Sequence, residues 1–571
     1  MTLTRTALLA ILVLAASCSD KPEPVAQERP SWEAFVTTVI DEYYRRNPEA
    51  AVYAGLHQYD GQMSDLSLDS LAEDGQWLDS VIAEASAYDD LQGIEAFERD
   101  YLLTEMQGQL FWLRESDYPQ KNPLFYTNIA VSVYVDREYA PLDQRLKAYT
   151  QYISQVPERM ATMRENLEPP LPAPFLETSN GILSGFAGYL ETTVPELFSD
   201  VDDEQLQRQF RAANDEAAVA VRATADWLES LKATATDDYA LGEERFLEML
   251  RATQGVDISL AELKAAGELD LEKNLDLLNE ACAEFAPGMS TKDCVLKVQN
   301  RKPPEGAVAG ATRQLPALRK FLEDNDLVTI PGTEDALVDE APPHRRFNAA
   351  YISIPGPFES GLPSVYYIAP PDPSWSEEDQ LAYIPGETDL LAISVHEVWP
   401  GHFLQYLHSN RTENRVGRHF GTYTFGEGWA HYTEQMMVDA GLGDGDPEIR
   451  IGQLLNALLR NVRYMSAIGL HAEGMTVEES QALFLEKGFQ DFGNATQQAN
   501  RGTRDPGYLN YTLGKLMINK LRDDWTAGRG GREAWGRFHD KFLSYGSPPI
   551  PLVREQMLGP DYDGDTALLP H

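Results

Sequence analysis

Basic residues are scarce in this chain: 47 Lys+Arg stand against 90 Asp+Glu in 571 residues, a formal net charge of -43. A surface that acidic repels phosphate backbones, which argues against nucleic acid as a partner and fits a solvated face in an extracytoplasmic setting. Cysteine is nearly absent, with Cys18, Cys282 and Cys294 the only three. Two cysteines without an adjacent His pair make a poor zinc ligand set, so Cys282 and Cys294 read as a disulfide in an exported protein. No GxSxG elbow, Walker loop or fixed-period repeat occurs. GLGDGD (441–446) has no strand before it and reads as a turn, and DYDGD (561–565) lacks the rest of a calcium loop. Long apolar runs are missing too. The longest, ALLAILVLAA (7–16), is far shorter than the ~20 residues that span a bilayer.

That run follows Arg5 and ends in AASC, so residues 1–18 read as a signal peptide with a lipoprotein-type cleavage site before Cys18. Cys18 is then the lipidated residue, the chain's sole membrane attachment. Ser19 follows it where an acidic residue would retain the protein in the inner membrane, which points to the outer membrane, facing the periplasm. SDKPEPVAQERP continues as a polar, Pro-rich tether, 19–31.

Beyond the tether, apolar residues recur at helical spacing. WEAFVTTVIDEYYRR predicts a helix ending at NPEAA, where Pro48 can start the next. ERDYLLTEMQGQLFWLRE, LDQRLKAYTQYISQVPERMATMRENL and DEAAVAVRATADWLESLKA carry the same rhythm. EPPLPAPF (168–175) and APPHRRF (341–347) break it. FNAAYISIPGPF and LPSVYYIAPP alternate instead, predicting a short hairpin or sheet edge before helices resume from Thr388. The expected organisation is an N-terminal helical region (32–340), a C-terminal region (341–560) and a loose acidic tail (561–571).

Five of the ten histidines lie between 396 and 431. HEVWPGH, closing an apolar helical run, holds the chemistry of a zincin: His396 as a zinc ligand, and Glu397 facing the water as general base. The second histidine, His402, sits six residues on, where an ideal helix would carry it about 120° around and some 9 Å along. Pro400 and Gly401 supply the distortion that could return it to the metal. Pro400 lacks an N–H and clashes with the carbonyl of His396, and Gly401 permits unusual dihedrals. In GTYTFGEGWAHYTEQMM, a helix starting near Gly426 would align Glu427, His431 and Glu434 on one stripe, with Phe425, Trp429 and Tyr432 implying burial. Glu427 offers the third ligand; a merely solvated polar face is the bland alternative. His431 is expected behind the ligands, beside Glu434, and becomes the alternative ligand should His402 not return.

HEVWPGHFLQ followed by EGWAHYTE resembles the bacterial family catalogued as domain of unknown function 885, whose pattern is HE-x-x-PGH-x-x-Q then EGWA-x-Y-x-E. The resemblance spans roughly 33–555. It includes NPEAAVYAGLHQYDGQMSDLS near the start and RGTRDPGYLNYTLGKLMINKLRDD near the end. It implies a mainly α, zincin-like peptidase with a cleft between two helical halves and a small β element on the rim. It also implies zinc on His396, His402 and Glu427, with Glu434 behind a ligand and holding its tautomer. ALLRNVRYMSAIGLHAEG is similar to the family's R-x-x-x-D-x-G-x-H segment and gives Arg463 and His471, although the family Asp falls on Ala467. His471 is a candidate oxyanion or substrate contact, or else a surface helix-end histidine. Tyr511 has the hydroxyl an oxyanion donor needs, ahead of Tyr508, while Arg501 and Lys515 could pair a substrate carboxylate; packing within a buried helix is the alternative for these.

The function expected is hydrolysis of peptides in the cell envelope. A surface-binding lipoprotein that has lost catalysis, or a zinc hydrolase of a non-peptide amide or ester, are the rivals. Glu397 beside His396 favours an enzyme.

Overall fold

Ser31 opens the first helix, its hydroxyl accepting from the Ala34 N–H, and the helix runs Trp32–Arg46 with two arginines in its last turn. Asn47 ends it and Pro48 begins Pro48–Tyr53, as the sequence predicts. The computed structural model describes residues 29–342, 345–346 and 349–570. The signal peptide, Cys18 and most of the tether lie outside them.

The chain is mainly helical. Two long apolar patterns resolve differently from their sequence reading. LDQRLKAYTQYISQVPERMATMRENL is two helices, Leu142–Ile153 and Val156–Asn166, because Pro157 fits a first turn and not a helix interior. DEAAVAVRATADWLESLKA is the second half of Glu204–Leu231, which packs on Ala173–Leu197. The sheet has three short strands: β1 (Ala336–Glu340), β2 (Ala350–Ser353) and β3 (Ser364–Ile368), ordered β1-β3-β2. β2 and β3 are the expected hairpin, antiparallel with Tyr351 opposite Tyr367. β1 adds a parallel partner, Leu337 opposite Val365.

Packing does not divide at residue 340. One core runs from Trp32 to Phe111 and on through residues of the 241–328 and 366–569 stretches, while Tyr126–Leu228 gathers a core of its own. Buried polar bonds tie the first helices to the C-terminal region. Glu98 accepts from Trp32 Nε1 (3.0 Å) and from the Arg415 N–H (2.8 Å), and the Tyr101 hydroxyl donates to the Phe420 carbonyl (2.6 Å). Segments far apart in sequence, on both sides of residue 340, fill this one core. A cavity of about 650 Å³ is lined by Thr104, Trp112 and Tyr118 together with Tyr423, Asp505 and Asn510.

The tail is not loose. Lys520 holds Asp565 at 3.1 Å, Arg554 donates to the Asp565 carbonyl (2.5 Å), and Leu569 is buried. Cys282 and Cys294 form the expected disulfide, joining the helices Leu260–Phe285 and Thr291–Gln299.

Candidate metal centre

The helix Glu387–Glu397 ends on the His-Glu pair, and a new helix, His402–Ser409, starts at the second histidine. Between them the Trp399–Pro400 peptide is cis, and the Gly401 N–H donates to the Val395 carbonyl (2.9 Å). A Cβ on Gly401 would stand 1.7 Å from the His396 carbonyl oxygen, so only glycine lets the chain fold back this closely. The two imidazoles, which a continuous helix would hold apart, come to 4.8 Å between centroids.

Glu427 comes from Tyr423–Asp439, which begins three residues earlier than its sequence suggests. That helix meets Asn510–Ala527 backbone to backbone: a Cβ on Gly428 would lie 2.5 Å from the Gly514 Cα, and one on Gly514 2.1 Å from the Thr424 carbonyl. The close approach brings Tyr511, about one turn before Gly514, against the cluster. Its ring stacks on His396 at 6.3 Å and meets Tyr423 edge-on at 5.7 Å.

Glu427 Oε2 lies 3.3 Å from His396 Nε2 and 3.3 Å from His402 Nε2, and the three donor atoms fall within 4.8 Å of one another. Ligands about 2.0–2.2 Å from a tetrahedral zinc lie roughly 3.4 Å apart, so the two 3.3 Å separations from Glu427 suit that ion. Glu427 Oε2 is also buried with no hydrogen-bond partner, an arrangement that costs free energy unless something charged meets it. These residues fit a zinc ion.

Behind His396 stands Glu434, whose Oε1 accepts from Nδ1 at 2.7 Å and leaves Nε2 facing the cluster. Arg460 donates to the same carboxylate (3.1 Å). Despite burial, Arg460 and the two histidines beside it hold the Glu434 carboxyl far below its usual range. His431 is wholly buried, 3.3 Å from Glu434 Oε2, and burial pulls it down to about 3, so it is neutral; it supports Glu434 and does not join the donor set. Glu397 accepts from the Ile352 N–H on β2 at 3.0 Å, which places the sheet against the helix that carries His396. Burial, then the Glu427 charge, pushes the Tyr511 phenol up, leaving it protonated and a donor near neutral pH.

Three sequence expectations change. His471 lies on a single π turn, Gly469–Glu473, and is buried, not a surface helix end. Its Nε2 donates to the Gly502 carbonyl (2.7 Å) and its Nδ1 accepts from the Leu241 N–H (3.4 Å), so both nitrogens brace backbone and neither is left for an oxyanion. Lys515 is buried against Asp270, which also takes the amide of Asn461 (2.7 Å); its carboxylate partner is the protein's own. Arg501 is paired as well, with Asp505 (2.9 Å) and the Tyr423 hydroxyl (2.9 Å). Sequence reasoning missed Arg460. Its trace was an arginine about one turn before Arg463, directly after the apolar ALL of Pro447–Ile468.

Fold and site together define a large helical protein built around a two-histidine, one-glutamate candidate metal centre. The chain belongs to the family described as bacterial protein of unknown function (DUF885), which matches residues 48–557. Among solved structures it is similar to a candidate lipoprotein of unknown function from Shewanella oneidensis, at 22% identity and a TM-score of 0.79 over 93% of this chain and 100% of that one. A candidate lipoprotein from Colwellia psychrerythraea is also similar, at 17% identity and a TM-score of 0.77 over 92% and 98%. No curated protein matches. At these identities the likeness is one of fold.

Proposed function

We propose that the chain is a zinc-dependent hydrolase of peptides in the bacterial cell envelope, anchored by lipid on Cys18 to the outer membrane and facing the periplasm. The observation that carries the reading is the convergence of His396, His402 and Glu427 with Glu397 adjoining them. Zinc held by those three side chains would polarise the scissile carbonyl and acidify a water molecule. Glu397 takes the proton that the attacking water gives up and returns it to the leaving nitrogen as the C–N bond breaks. The Ile352 N–H fixes the orientation of that carboxylate. Tyr511, protonated and stacked on His396, donates to the oxyanion. Glu434 keeps His396 in the tautomer that presents Nε2. The cavity of about 650 Å³ reaches Tyr423, whose ring meets that of Tyr511 at 5.7 Å, and the three candidate ligands do not line it.

Support for the anchor comes from the AASC sequence before Cys18 and from relatives described as candidate lipoproteins. No helix among the described residues is long and apolar enough to cross a membrane. The test is metal analysis of the purified protein coupled to a peptide-library digest read by mass spectrometry. One zinc per chain with new peptide termini is expected. A metal-free protein, or a zinc protein that leaves every peptide intact, contradicts the proposal.

A further inference from the structure

We propose that Arg463 is the anion-holding group of a carboxylate-binding subsite beside the metal centre, receiving a carboxylate of the substrate. The inference rests on the reading of the site as a peptide hydrolase. Three guanidinium groups crowd the ring of Tyr511: Arg463 at 5.0 Å from its centroid, Arg460 at 5.6 Å and Arg501 at 5.9 Å. Two are answered by the protein, Arg460 by Glu434 and Arg501 by Asp505. The third is not. Arg463 is only 8% exposed, and its Nε donates to the neutral amide of Gln498 at 2.8 Å. Among the described residues no carboxylate stands in ion-pair range of it.

Burying a cation without a counter-charge costs free energy, and placing it among two more arginines adds to the cost. Burial and the neighbouring Arg501 and Arg460 accordingly push its pKa down, whereas the tyrosines 423 and 511 act the other way. Such a group is kept where a ligand supplies the missing charge. The planar guanidinium fork matches a carboxylate bidentately. In a peptide that carboxylate is either the free C-terminus or an acidic side chain. Tyr511 touches both His396 and Arg463, so a carboxylate held there would fix the substrate relative to the helix that carries His396. The assignment passes from Arg501 and Lys515, which are paired, to Arg463, which is not.

The experiment compares three hexa-alanine peptides: the free acid, its C-terminal amide, and that amide carrying one Asp. Steady-state hydrolysis is measured with zinc-loaded wild type, Arg463→Gln and Arg463→Lys. The wild type is expected to prefer one or both charged peptides over the neutral amide by about tenfold or more in kcat/KM, the scale of a charge-assisted hydrogen bond. In Arg463→Gln that preference should fall below about twofold by the same accounting. Preference for the free acid alone identifies the chain end, and preference for the Asp peptide alone identifies a side chain. Equal rates on charged and neutral peptides in wild type, or a preference that survives in Arg463→Gln, overturns the subsite. Should Arg463→Gln not fold, Arg463→Lys decides: it keeps the charge, loses the fork, and is expected to lose most of the preference, while full retention overturns the proposal. Calorimetric titration of the same peptides into Glu397→Gln and Glu397→Gln/Arg463→Gln proteins separates binding from cleavage. Tighter binding of a charged peptide, lost with Arg463→Gln, supports the subsite even if no peptide is ever cut; equal affinities overturn it.

Discussion

His396 and Glu434 are joined at 2.7 Å through Nδ1 and Oε1, and the bond settles which nitrogen of His396 faces Glu427. Because the carboxylate also takes Arg460, replacing it disturbs the orientation of the histidine and leaves a buried guanidinium without its counter-charge. Glu434→Gln is expected to weaken zinc binding by about 10–100-fold, read by competition with a chelator. Unchanged affinity would show that the bond does not orient the ligand.

Gly401 carries a steric demand of its own. Since a Cβ there would meet the His396 carbonyl at 1.7 Å, Gly401→Ala must open the turn and move His402 away from Glu427. The zinc content of Gly401→Ala should fall to that of His402→Ala. Full occupancy in both variants would remove His402 from the ligand set.

Lys515 and Asp270 form a pair buried on both sides, with side-chain exposures of 2% and 8%. Removing one partner of such a pair destabilises by about 3–5 kcal/mol. Lys515→Ala should therefore lower the urea midpoint strongly, and at low denaturant the folded fraction should keep its choice between charged and neutral peptides. A variant of normal stability that loses this choice would return Lys515 to the substrate.

His57 ties the loop after β2 to the N-terminal helices, contacting Asp60 at 3.1 Å and Glu359 at 3.5 Å, while Arg137 holds Glu359 from the other side (2.9 Å). Burial opposes its charge, but bonds to Asp60 and Glu359 prevail and raise it from 6.5 to about 9. A raised pKa means the folded state holds the proton more tightly, so the contribution to stability is full below about pH 6.5 and is lost as pH rises through about 9. The stability difference between wild type and His57→Gln, from urea titrations at several pH values, should shrink across that window. A gap that widens toward pH 9 would reverse the assigned charge.

Much of the centre is written locally. An apolar helical run closing on His396–Glu397, a Pro400–Gly401 break, and a later helix bearing Glu427 and Glu434 are each visible within about twenty residues, and the structure brings His396, His402 and Glu427 together through that break and against the spacing of a continuous helix. What stayed hidden depends on contacts between distant segments. The Asp270–Lys515 pair spans 245 positions, and nothing near Lys515 marks its partner. His471 looked available because its bonds to Leu241 and Gly502 join backbone atoms that carry no side-chain signature. β1 was missed for the same reason: ALVDE has a single β-branched residue and no aromatic one, and its partner β3 lies beyond β2 in sequence.

The central claim is that Glu397 acts on water beside a zinc ion held by His396, His402 and Glu427. Glu397→Gln keeps the shape of the side chain and all three donor atoms, so zinc should remain at one per chain while the proton acceptor is gone. The measurement is the peptide hydrolysis rate of zinc-replete Glu397→Gln against wild type. A fall of about 10²–10⁴-fold, the range for a lost general base, is the predicted result; hydrolysis at the wild-type rate would contradict the mechanism, whatever metal is bound.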